Sequence, residues 1–176
     1  DGLSESLNEY YNLGSRFTKW RAVYKISGKF PSIQSIKSNA HALARYAALV
    51  QEAKMVPIIE PEVLMDGSHN IDKCYAVTTD VLNECYNELE VLKIDLKGTV
   101  LKPNMIVPGT ECKDKSSSDE IAKKTLDCLK KNVPNEVPGI AFLSGGQSEI
   151  EASKNLNAIN KINDTNFLIT FSYGRG

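Results

Sequence analysis

No stretch of about 18 consecutive apolar residues occurs in the sequence, so no membrane-spanning helix and no membrane insertion are expected. An excess of one charge is missing as well: 21 Lys and Arg stand against 22 Asp and Glu, a formal net charge of -1. That balance gives neither nucleic acid nor a membrane surface an electrostatic reason to bind. Histidine is scarce, with only His41 and His69, and the four cysteines (Cys74, Cys85, Cys112, Cys128) include no Cys-x-x-Cys pair. No zinc site can be assembled from that inventory, and structural thiols in a reducing, cytoplasmic setting are expected. Asp66, His69 and Asp72 fall in a polar loop before a helix, where such residues serve as caps and turns more often than as metal ligands. A secretory leader is not seen, Met is missing at position 1, and the sequence stops at Arg175-Gly176. A piece of a longer protein is the expectation. What is present, 176 residues of which 41% are hydrophobic and 24% charged, fits one ordinary globular unit over residues 1–176.

Short β-like runs alternate with long helical ones. Leu3, Leu7, Tyr10 and Tyr11 fall at helical spacing, with Gly14 placed to end that helix. Trp20 to Ile26 reads as a strand, and Pro31-Ser32 opens a helix to about Ala53, its apolar stripe made of Ile33, Ile36, Ala40, Leu43, Ala44 and Ala47. Further strands are expected at Val56–Glu62, Thr99–Met105, Gly139–Ser144 and Phe167–Ser172. Helices are expected between them from about Asn70 to Leu92, from about Ser117 to Lys131, and from a Ser148/Glu151 capping box to about Ile162. Strand, loop and helix repeating at about 40 residues require a parallel sheet with crossovers, which leaves a doubly wound sheet and a (β/α)8 barrel open. No glycine-rich phosphate fingerprint follows the first strand, and polar residues interrupt otherwise apolar strands as a barrel lumen allows. The barrel is the expected α/β fold.

Alternation along each strand groups Lys19, Arg21 and Val23 on one face, Ile58, Glu60 and Glu62 on the next, then Val100 with Lys102, Phe142 with Ser144, and Thr170 with Ser172. If these faces form the lumen, Lys19, Glu60, Lys102, Ser144 and Ser172 converge. Buried Lys and Glu need partners, so an ion-pair network tying strands together competes with a catalytic reading. Lys102 sits among Val100, Leu101, Pro103 and Met105, and an amine in apolar surroundings beside a second cation such as Lys19 gives up its proton more readily. The neutral amine then attacks a ketone to form a Schiff base, with Glu60 moving protons as general acid and base. Glu62 is expected to hold a lysine. Ser144-Gly145-Gly146 ends a strand just before a capped helix, where free amides and the helix dipole favour an anion. Gly174-Arg175 ends the next strand with a second open backbone and a guanidinium, which strengthens a phosphate-cup reading that a lone Ser-Gly-Gly turn would not carry.

Five sequence motifs identify a resemblance. They are Lys19-Trp20-Arg21, Pro57 to Glu62, Leu101-Lys102-Pro103-Asn104-Met105, Phe142 to Glu149, and Thr170-Phe171-Ser172-Tyr173-Gly174-Arg175. Together, in order across the whole chain, they closely resemble class I (Schiff-base) fructose-bisphosphate aldolase, and Asn155 to Asn160 is family-like too. The resemblance implies a TIM barrel of which this chain supplies about strands four to eight. The family's first three strands, with an acidic residue and a lysine, and its C-terminal tail ending in a tyrosine would lie elsewhere. It implies Lys102 as the imine-forming residue, Glu60 as its acid/base partner and Lys19 as a further catalytic group. Arg21 and Lys19 would contact the sugar hydroxyls and distal phosphate. Ser144, Gly145, Gly174 and Arg175 would take the phosphate of the dihydroxyacetone-phosphate half, with Ser172 near its hydroxyl. No cofactor and no metal are implied. Substrate and products would be fructose 1,6-bisphosphate and the triose phosphates of glycolysis and gluconeogenesis, in a cytoplasmic homotetramer with cytoskeletal or adhesin-linked partners.

Two rival readings remain at this point. A glycoside hydrolase would use Glu60 and Glu62 as its carboxylate pair, but both would act from one side of the sugar and Lys102 would have no task. A non-catalytic aldolase fragment or scaffold is the other, and a chain lacking three strands is expected to be inactive alone.

Overall fold

In the computed structural model, residues 2–174 are described. Helices begin where a side-chain oxygen takes an amide N–H that the first helical turn leaves without a partner. Ser32 Oγ accepts from the Ser35 amide, Asn70 Oδ1 from Lys73, and Ser117 Oγ from Glu120. Ser148 accepts from Glu151 while the Glu151 carboxylate returns to the Ser148 amide, so the capping box read from the sequence is formed. These caps start α2 (Ile33–Glu52), α3 (Ile71–Val91), α4 (Ser118–Asn132) and α5 (Glu149–Ile162), which follow a first helix, α1 (Leu3–Asn12).

The strands are β1 (Phe17–Tyr24), β2 (Val56–Val63), β3 (Val100–Leu101), β4 (Gly139–Phe142) and β5 (Leu168–Phe171). They form one parallel sheet in chain order, β1-β2-β3-β4-β5. A doubly wound sheet reverses its strand order at a switch point, and no reversal occurs here. The helices also touch in sequence, α2 with α3, α3 with α4 and α4 with α5, as one outer layer. The architecture is therefore part of a (β/α)8 barrel wall. Its core lies between strands and helices, where Ile59, Leu101, Ile140 and Phe142 meet Leu43, Val81, Leu82 and Leu129, all buried. Burial of each such side chain is worth about 1.5–3 kcal/mol.

Four details differ from the sequence reading. β1 starts three residues earlier than Trp20, and Lys25 and Ile26 leave the ladder, so Lys19 lies inside its strand. β3 is only two residues long, because Pro103 offers no N–H to continue it. Ile33, placed on the apolar stripe of α2, is exposed at the first turn of that helix. Phe142 and Ser144 do not share a lumen face: Phe142 is buried in the layer between sheet and helices, and the chain leaves the strand before Ser144.

Candidate active site

Register places the polar side chains on one face. Arg21 pairs with Glu60 across β1 and β2, Ile59 pairs with Leu101, and the next residues in line are Glu60 and Lys102. The Lys102 amide donates to the Ile59 carbonyl at 2.8 Å, extending the β2–β3 ladder by one bond to the point where the lysine turns inward. Its Nζ lies 3.2 Å from Glu60 Oε1. Lys19 Nζ lies 3.2 Å from Glu60 Oε2, but without hydrogen-bond alignment, so that oxygen is buried with no hydrogen bond of its own. Glu60 is 3% exposed and Lys102 8%, whereas Lys19 lies half-open at the rim. A buried carboxylate between two ammonium groups is compensated in charge and still holds a free lone pair.

Glu62 is buried too, but its partner is an arginine and not the expected lysine. Arg21 Nε donates to Glu62 Oε2, and this bond raises the guanidinium pKa further. A planar donor fork suits a carboxylate better than an ammonium point charge does, and Arg21 is the cation that the register brings beside Glu62.

These groups open into one cavity of about 490 Å3, a volume suited to a small organic substrate. Lys19, Arg21, Glu60, Lys102, Ser144, Gly145, Ser172 and Gly174 all line it. Arg175 lies outside the described residues. Ser144 reaches the cavity through a turn, not through strand alternation. Gly145 and Gly146 take φ of 61° and 89°, values that a side chain disfavours, and the Gln147 amide closes the turn on the Ser144 carbonyl at 3.2 Å. Among the described residues no acceptor takes the amide N–H of Ser144, Gly145 or Gly146. With the N-terminus of α5 close behind, the turn presents positive backbone dipoles suited to an anion.

Met65 and Gln147 also line the cavity and are not among the candidates the sequence marks, and Asp66, a candidate there only for metal, lines it too. Gln147 follows the Ser-Gly-Gly run directly, and that adjacency was the available signal. Met65 and Asp66 belong to a loop held by amide bonds from Thr110 to Met65 O and from Glu111 to Gly67 O, contacts that no local pattern announces. The three residues weighed as metal ligands do not meet as a set. Asp66 faces the cavity, Asp72 pairs with Lys124, and both ring nitrogens of His69 are buried without a hydrogen-bond partner. Among the described residues, no helix is long and apolar enough to cross a membrane.

A primary amine beside a carboxylate, in the same cavity as an anion-ready turn, suits chemistry on a phosphorylated carbonyl compound. Comparison with known proteins shows the family. The family model for fructose-bisphosphate aldolase class-I matches residues 1–176. A "probable fructose-bisphosphate aldolase class 1" of Xylella fastidiosa (strain 9a5c) is 50% identical over 175 residues, covering 99% of this chain and 52% of the relative. "Fructose-bisphosphate aldolase 4, cytosolic" of Arabidopsis thaliana is 51% identical over 176 residues, covering 99% of this chain and 45% of the relative. A solved fructose-bisphosphate aldolase from Plasmodium falciparum, crystallised with TRAP and a small-molecule inhibitor, superposes with a TM-score of 0.98. It is 46% identical and covers 99% of this chain and 51% of its own. The chain thus spans about half the length of the relatives it matches.

Proposed function

The chain belongs to the class I fructose-bisphosphate aldolases, and from that membership and the cavity geometry we propose that it carries the imine-forming centre of an enzyme that reversibly cleaves fructose 1,6-bisphosphate. The Lys102–Glu60 contact at 3.2 Å is the observation that carries the reading. Lys102 passes its extra proton to Glu60, the resulting amine attacks the ketone carbon, and the carbonyl oxygen takes that proton from Glu60 to give a carbinolamine. Glu60 receives a proton from the lysine nitrogen and returns it to the departing hydroxyl, so water leaves as the C=N bond forms. The protonated imine then draws the electrons of the adjacent carbon–carbon bond as the Glu60 carboxylate takes the proton of the sugar hydroxyl beyond that bond. Glyceraldehyde 3-phosphate departs, and an enamine of dihydroxyacetone phosphate remains on Lys102. Glu60 returns that proton to the enamine carbon, and water then hydrolyses the imine, releasing the second triose and restoring the lysine.

The remaining cavity residues hold the substrate. In this proposal the Ser144–Gly145 turn and Gly174 take the phosphate nearest the imine, with Arg175, and Ser172 lies by the adjoining hydroxyl. Arg21 and Lys19 face the distal end from β1. A glycosidase reading is disfavoured by the same geometry, since Glu60 and Glu62 project from one strand and each is paired with a cation. Family likeness alone supports a cytoplasmic homotetramer with cytoskeletal or adhesin-linked partners.

The test is covalent. Incubating the full-length protein with dihydroxyacetone phosphate and borohydride should reduce the imine and add mass to the peptide bearing Lys102. Lys102→Met should abolish both labelling and turnover. Label found on Lys19 in place of Lys102 would overturn the assignment.

A further inference from the structure

The family-like run from Asn155 has no role in the chemistry above, yet Asn155 itself is 5% exposed on α5 and points its amide at the cavity wall. Its Nδ2 donates to Gln147 Oε1 at 2.6 Å. Gln147 in turn donates from Nε2 to the Ser144 carbonyl at 2.9 Å and lies 3.7 Å from Met105 Sδ. A carbonyl accepts only, so Gln147 must present its NH2 to Ser144 and its oxygen to residue 155. Residue 155 must then be a donor, which Asn supplies and Asp would not. The polarity of the whole relay is thereby fixed from α5 to the turn.

We propose that Asn155, acting through Gln147, is a positioning residue that holds the Ser144-Gly145-Gly146 turn in its phosphate-accepting shape. The inference rests on the reading of that turn as a phosphate cup. Gly145 and Gly146 lie in left-handed backbone conformations, and the Gln147 amide meets the Ser144 carbonyl at the long distance of 3.2 Å. Glycine pairs of this kind relax easily, and a second bond to the same carbonyl restrains a peptide whose two residues line the cavity and whose N–H has no acceptor among the described residues. Neither Asn155 nor Gln147 needs to touch the reacting carbon, so their loss should be felt by the phosphate alone.

The experiment uses the full-length enzyme and borohydride trapping, with the half-saturating concentrations of dihydroxyacetone phosphate and of unphosphorylated dihydroxyacetone as readouts. Competition by inorganic phosphate is measured alongside. Asn155→Asp should raise the half-saturating concentration of the phosphorylated ketone by about tenfold, the scale of one hydrogen bond to a charged ligand. Inorganic phosphate should weaken as a competitor by a similar factor, with dihydroxyacetone unchanged. Gln147→Met, of similar size at a half-exposed position, should do the same and carries the test if Asn155→Asp does not fold. Unchanged values, or equal losses with both ketones, in folded variants would overturn the positioning role. If the unaltered enzyme did not distinguish the two ketones, the phosphate-cup reading itself would fall, and this proposal with it.

Discussion

Glu60 touches an ammonium group through each of its oxygens, yet Oε2 has no hydrogen bond, which suits the acid/base role proposed for it. Glu60→Gln keeps the shape and removes the base. The expected result in the full-length enzyme is a fall in kcat of about 10²–10⁴ with KM within a few-fold. A change confined to KM would show that the residue only binds. The buried thiols make a different prediction. Burial pushes Cys85 up to about 12 and Cys74 up to about 11, so the folded protein keeps both protonated where the unfolded chain, near 9.0, ionises. Their contribution to stability is fully present below pH 9 and is lost as pH rises toward 11–12. Urea midpoints should therefore fall above pH 9, and Cys85→Ala should make that fall shallower. An unchanged slope would mean that Cys85 does not govern it; Tyr24 and Tyr46, also raised by burial, titrate in the same direction. At this scale most of the lining of the candidate site was legible in the sequence. Alternation alone grouped Lys19, Arg21, Glu60, Glu62 and Lys102, because β1 and β2 keep a strict two-residue period up to the cavity and the bond from the Lys102 amide to Ile59 carries that period one residue past β3. It failed for Ser144, because the chain had already left β4.

Elements were read best where a local signal marks their ends. Ser32, Asn70, Ser117 and Ser148 each cap the helix expected after them. Strand ends were read worst, because their pairing is decided by partners far along the chain. β3 shows why. Beyond Lys102 the ladder to β2 ends, and the Asn104 side chain replaces it by accepting from the Val63 amide at 2.9 Å. Its NH2 donates to Thr78 Oγ1 on α3 and to the Met105 carbonyl, so one buried amide joins β2, α3 and the segment after β3. This lets the strands part at the mouth of the lumen while their spacing stays fixed. Asn104→Ala would leave the buried Val63 amide without a partner, at a cost of about 1–3 kcal/mol. Chemical denaturation should show that loss. A variant as stable as the parent would mean that water or another acceptor replaces the side chain.

The whole molecule is a wall with two free margins. β1 and β5 each pair on one side only among the described residues, and both carry bare apolar side chains. On β1 these are Phe17, Trp20 and Val23; on β5, Leu168 and Phe171, with Leu168 77% exposed. Unpaired strand edges with exposed apolar faces are templates for association, and an eight-stranded barrel has none because its last strand closes on its first. The relatives are about twice as long as the part this chain matches, so they contain chain enough to cover both margins. Expressed alone, these 176 residues should self-associate and show no measurable aldol cleavage, since they span only about half the length of the relatives and groups that act together in catalysis are strongly non-additive when any are removed. Adding a polypeptide that corresponds to the part of the relatives this chain does not match should suppress self-association and restore some cleavage. Borohydride trapping separates the steps: Lys102 should be labelled by dihydroxyacetone phosphate only after complementation if closing the barrel completes the site, and before it if the wall alone suffices for imine formation. A monomeric 176-residue chain that cleaves fructose 1,6-bisphosphate unaided would show that the open margins do not matter, and that the five strands carry the whole reaction.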